Sequence, residues 1–108
     1  MYMIVRFTIV PSAAPGNFNV TSTSSLSLDV SWDAIPEEQQ QGLLLGYVVY
    51  YKIKGSSVEQ NKTVGPAQSI LKLTGLQYKI YVVRVAGYTA VGLGKSTTEL
   101  NKIPNDGG

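Results

Sequence analysis

From Leu26 to Asp33 the chain alternates without a break. Leu26, Leu28, Val30 and Trp32 are apolar, and Ser27, Asp29, Ser31 and Asp33 are polar. Successive side chains of an extended backbone point to opposite faces, so a period of two describes a strand with one dry and one wet face. A helix would scatter the same apolar residues around its circumference. A half-buried strand of this kind belongs to an antiparallel sheet, and the rest of the chain must supply its neighbours.

It does so in short β-prone runs separated by punctuators. Residues 11–16 read PSAAPG and break any strand begun at 3–10. Residues 17–21 form a short strand candidate, 21–25 a polar turn and 36–42 (PEEQQQG) a loop. Residues 43–54, rich in Leu, Val and Tyr, make a long run; 58–64 are more polar and suit a sheet edge. Residues 68–73 give another strand. Residues 78–89 give a long one, with Tyr81, Val83 and Val85 on one face. After a turn at 90–94, residues 95–102 form a final polar strand. No stretch reads as a helix and there is no internal repeat. About seven short strands, with turn signals roughly every 8–12 residues, predict an all-β, seven-stranded immunoglobulin-like antiparallel sandwich. The 108 residues suit one domain. The expected division is an N-terminal extension over 1–10, a domain over 11–104 and a linker-like tail over 105–108. Arg6 interrupts the apolar start and no small-residue cleavage pattern follows, so 1–10 makes a poor leader peptide.

What the chain lacks narrows its chemistry. It has no cysteine and no histidine. Disulfides, thiolate metal sites, cysteine nucleophiles and the commonest general base are thereby excluded. A net charge of +2 without a Lys/Arg run gives no reason to expect nucleic acid, and no apolar run reaches the ~18 residues of a membrane span. Asp29 and Asp33 share a strand face, but as the polar half of an alternating strand they read as solvated surface. Gly92 and Gly94 lack the following helix that a phosphate loop requires. The expectation is no cofactor, no metal and no enzyme.

The residues resemble the fibronectin type III family. The matching features, in chain order, are Pro11, Ser12 and Pro15; Leu28, Val30 and Trp32; Gly46, Tyr47, Val49 and Tyr51; Leu73, Gly75 and Leu76; Tyr81, Val83, Val85 and Gly87; and Gly92, Gly94 and Ser96. The resemblance implies a core built on Trp32, Tyr47, Val49, Tyr51, Leu76, Tyr81, Val83 and Val85. Burial of Trp32 at the centre of such a thin core is worth roughly 2–3 kcal/mol. It also implies a tyrosine corner, a phenol bonded to backbone just upstream. Tyr81 is the candidate and Tyr78 its rival. Gly92 and Gly94 are expected to supply positive φ at a tight connection.

In this family the third and sixth strands are neighbours, so their outward residues share a face: Val48 and Tyr50 with Val82, Arg84 and Tyr88. Tyr and Arg are enriched where proteins bind one another. That face reads either as a partner surface or as ordinary cross-strand pairing on a wet sheet. Two N-glycosylation sequons, at Asn19 and Asn61, favour an extracellular setting. The functional expectation is a non-catalytic extracellular interaction or spacer module of a multidomain cell-adhesion or receptor protein, meeting a protein partner or a neighbouring domain, monomeric in isolation. The alternatives are an intracellular mechanical spacer of a cytoskeletal or muscle-type protein, or an accessory domain of a secreted enzyme.

Overall fold

Strands dominate residues 8–105, the part of the chain described by the computed structural model. In order they are β1 (Gly16–Ser24), β2 (Ser27–Asp33), a one-turn helix α1 (Glu37–Gln40), β3 (Gly46–Ile53), β4 (Gln60–Val64), β5 (Ile70–Leu73), β6 (Tyr81–Tyr88), β7 (Leu93–Ser96) and β8 (Leu100–Lys102). One sheet has the order β1-β2-β5; the other runs β4-β3-β6-β7, with β8 also pairing with β6. Every pairing is antiparallel. Residues 1–7 of the expected extension and 106–108 of the tail lie outside the described residues.

The core forms where the inner faces of the two sheets meet. Leu28, Val30 and Trp32 from β2 face Tyr47, Val49 and Tyr51 from β3 and Tyr81, Val83 and Val85 from β6; all are buried, as is Leu76. The Trp32 and Tyr47 rings sit 5.6 Å apart at a tilt of 53°, a geometry that suits the opposite charge of ring face and ring edge. The Tyr47 hydroxyl accepts a hydrogen bond of 2.9 Å from the backbone N–H of Ile35. Ile35 itself is only 1% exposed. The corner belongs to Tyr81: its hydroxyl accepts the N–H of Gln77 at 3.0 Å, whereas Tyr78 is 67% exposed.

Several sequence expectations change. The alternating strand begins one residue later than its pattern, at Ser27, because residues 25 and 26 turn the chain. Leu26 is exposed there, and Ser27 is buried with its hydroxyl shared between those of Thr23 (2.8 Å) and Ser24 (2.6 Å). The loop at 36–42 contains helix α1: Pro36 precedes it in an extended conformation (φ −53°, ψ 142°), and the Gln39 N–H reaches the Pro36 carbonyl at 2.8 Å. The single final strand is two segments, β7 and β8, laid along one side of β6. Between them Thr97 donates its N–H to the Val85 carbonyl (2.8 Å) and accepts the Val85 N–H on Oγ1 (3.0 Å). A side chain thus replaces a backbone carbonyl, and eight segments fill seven strand positions.

Gly92 has the expected positive φ (152°), but Gly94 does not. Gly94 is required for another reason. A Cβ there would stand 2.5 Å from the Pro11 carbonyl oxygen and 2.7 Å from its Cβ. The buried ring of Pro11 therefore docks on bare backbone. Nearby, Ile9 donates its N–H to the Gln41 carbonyl (2.9 Å) and accepts the Thr89 hydroxyl on its own carbonyl (2.8 Å). The chain entering the domain is tied to the end of β6 before β1 begins.

Candidate interaction surface

The pairing of β3 with β6 sets Val48 opposite Ala86, Tyr50 opposite Arg84 and Gly46 opposite Tyr88. Residues directly opposite one another in an antiparallel pair share a face. Since Tyr47, Val49, Tyr51, Val83 and Val85 enter the core, the intervening residues form the outer face. β4 extends that face, with Thr63 opposite Val48 and Asn61 opposite Tyr50. On the far side, Leu93 of β7 stands opposite Tyr88.

The expected surface residues do not behave alike. Tyr50, Val82, Arg84 and Tyr88 are half-buried, while Val48 is 9% exposed and Ala86 1%, although neither belongs to the inter-sheet core. Val48 is the floor of the face rather than an exposed contact residue. Directly across from it stand the short Ala86 and Thr63, and the tall Tyr50 and Tyr88 share the trough above it. Arg84 lies with its guanidinium carbon 3.9 Å from the Tyr50 ring centroid, and its Nη2 reaches Glu59 Oε1 at 3.1 Å. The stacking is worth about 0.5–1 kcal/mol and the partly exposed ion pair no more than about 1 kcal/mol. Together they fix the guanidinium flat on the aromatic ring. Glu59 precedes β4 and was not among the residues expected at this face, because nothing in a lone glutamate in a polar stretch marks its partner.

One side of Tyr50 thus carries the charged group. A shallow open trough of about 330 Å³ is lined by Val48, Tyr50, Asn61, Thr63, Tyr88 and Leu93, with Gly92 at its end. Arg84 and Glu59 are not among its walls. Asn19 lies on the other sheet, with Ser31 as its register partner.

The carboxylates are dispersed. Asp29 stands opposite Lys72 on β5, with Nζ 3.6 Å from Oδ1, and Asp33 accepts the Asn17 amide at 2.5 Å. The two acids are engaged separately: Asp33 is exposed, and Asp29 is half-buried with its Oδ1 shielded from solvent. Among the described residues no group of three or more His, Cys, Asp or Glu is placed to hold a metal. No described helix is long and apolar enough to cross a membrane. Burial pushes the Tyr51 phenol above its ordinary 10.0, and nearby Tyr81 adds to the shift. Tyr51 lies in the core, so this is a property of packing rather than of a reactive group.

Two stacked antiparallel sheets with a tyrosine corner define an immunoglobulin-like sandwich class of domain. The family model for the fibronectin type III domain matches residues 13–103, and the chain belongs to that family. Sidekick-1 of Gallus gallus is 42% identical over 89 residues, which cover 79% of this chain and 4% of that protein. Contactin-6 of Mus musculus is 34% identical over 87 residues, covering 72% of this chain and 8% of that protein. The chain therefore spans a small fraction of the length of these relatives. Among solved structures, the third fibronectin III domain of the human KIAA0343 protein superposes with a TM-score of 0.81 at 25% identity, covering 97% of this chain and 92% of that one.

Proposed function

We propose that this chain is a non-catalytic, extracellular interaction and spacer module of a multidomain cell-adhesion protein. The observation that carries this reading is the 42% identity to one short segment of a sidekick protein, within a family match that covers most of the chain. The similarity to contactin-6, also over a small part of its length, supports the same reading. A domain that fills a few per cent of such a protein contributes spacing, orientation and contact surface.

The outer face of β3 and β6 is the proposed contact surface, because it holds aromatic side chains and an arginine oriented by stacking. Such groups anchor protein interfaces when a partner desolvates them. The test is association of the full-length parent protein, displayed on cells, with cells displaying the same protein and with candidate partner cells. Surface labelling of intact cells is expected to reach the domain. The double change Tyr50→Ser and Tyr88→Ser is expected to reduce association at least tenfold while the folded signature in circular dichroism stays. Unchanged association would remove the face from consideration. Failure of surface labelling would remove the extracellular assignment.

A further inference from the structure

The sequon Asn61-Lys62-Thr63 lies on β4 with its two essential side chains on the outer face. Asn61 is opposite Tyr50 and Thr63 opposite Val48, while Lys62 takes the intervening position opposite Val49. Asn61 and Thr63 are both exposed and both line the trough, whose other walls are Tyr50, Tyr88 and Leu93 over the floor of Val48. The second sequon has no such surroundings. Asn19 pairs with Ser31 and Thr21 with Asp29, and no aromatic side chain stands at these positions.

We propose that Asn61 carries an N-linked glycan whose first N-acetylglucosamine lies in this trough, against the tyrosine rings. The inference rests on the extracellular reading given above. In the covalent step the Asn61 amide nitrogen attacks the anomeric carbon of an oligosaccharide held on a lipid diphosphate. The N–C1 bond forms, the C1–O bond to the diphosphate breaks, and the amide loses a proton as the diphosphate leaves with the electron pair. The apolar C–H face of the first sugar and its acetyl methyl then have an apolar wall to pack on. At about 330 Å³ and open to solvent, the trough sits at the low end of small-molecule sites. A free ligand would gain little there against the cost of association. A sugar already tethered at the rim has no such cost to meet, because its effective concentration is set by the linkage. Arg84 occupies Tyr50 from the side of Glu59 and leaves the trough to the sugar. A seated sugar and a protein partner on Tyr50 and Tyr88 exclude one another, so the association expected of the contact surface belongs to molecules unmodified at Asn61, and glycosylation there closes it.

The test uses the whole chain expressed in mammalian cells behind an added secretory leader, so that use of the sequon is asked apart from the native location. Peptide mapping after enzymatic deglycosylation in ¹⁸O-water is expected to find Asn61 converted to labelled aspartate, and Thr63→Ala is expected to abolish that label. With the glycan trimmed to one sugar, the acetyl methyl proton resonance is expected to move upfield by ring current. It should move back toward its free position in Tyr88→Ser, which removes one of the two rings. An unlabelled Asn61, or a labelled one whose acetyl resonance stays at the free position in the unchanged sequence, overturns the proposal even if the protein is extracellular. An unglycosylated Asn61 on native-source protein that surface labelling reaches overturns the proposal, whereas failure of surface labelling to reach the native protein overturns the extracellular reading on which it rests.

Discussion

Individual side chains in this domain divide into those that close the core and those that only pass near it, and Tyr81 and Tyr78 separate cleanly on that basis. Tyr81→Phe removes the acceptor of the Gln77 N–H and is expected to cost roughly 1 kcal/mol in urea unfolding. Tyr78→Phe should stay within about 0.5 kcal/mol, as surface changes do. Tyr51 makes a pH prediction. Its phenol is raised in the folded state above 10.0, so the unfolded chain loses that proton first as pH rises. The stabilising contribution is complete below the unfolded value and disappears between it and the folded one. Stability is expected to start falling as pH rises past about 10, and Tyr51→Phe should flatten the loss, read as urea midpoints across that range. Alternation aligns Trp32 and Tyr81 with one face of their strands, while the family resemblance supplied Tyr47 and the corner role of Tyr81. Ile35 was not legible. It lies past the end of β2 beside a proline, where no period marks it as buried, and its place depends on Tyr47 from another strand. Glu59 escaped for the same reason, since its partner Arg84 is 25 residues away.

At the scale of elements, strands with a dry and a wet face were readable and their interruptions were not. The final strand looks continuous, yet Thr97 inserts its hydroxyl into the ladder and splits it. Thr97→Val keeps the shape and removes the acceptor for the Val85 N–H. It is expected to cost about 1–2 kcal/mol, whereas Thr97→Ser should retain most of the stability; hydrogen exchange at Val85 checks both. Gly94 was marked by its spacing from Gly92, but the cause is proximity to Pro11, which no local pattern contains. Gly94→Ala forces a Cβ against the Pro11 carbonyl and ring. A loss of about 1–3 kcal/mol is expected in urea unfolding, with faster hydrogen exchange at Ile9 and Ser12 if the entering chain is displaced. Gly92→Ala would act differently, by forcing an L residue into a backbone conformation that favours glycine.

For the molecule as a whole, the period of each strand tells which face is dry, but β2 beside β5 and β3 beside β6 join strands far apart in sequence. The neighbour relation of β3 and β6 came from the family resemblance. The outer surface, however, depends on register. Only with β3, β4 and β6 aligned does it emerge that Asn61, Tyr50 and Arg84 form one row, and that Val48 is a floor. That same alignment fixes where the domain is held. The entering chain is fastened at Thr89, just past the end of β6, while Lys102 of β8 pairs with Tyr81 at its beginning. The Ser22 hydroxyl also grips the Ile103 carbonyl at 2.6 Å, linking the leaving chain to the other sheet. Ser22→Ala is expected to lower the unfolding force when the domain is stretched from its ends, alongside a loss of about 1 kcal/mol in urea unfolding. The two attachment points are separated by the eight residues of β6, about 27 Å of extended chain. A pull on the polypeptide therefore runs lengthwise along β6, at right angles to the hydrogen bonds on either side of it. Those bonds are loaded in parallel and must give way together, so the domain resists stretching like a lap joint rather than opening like a zip.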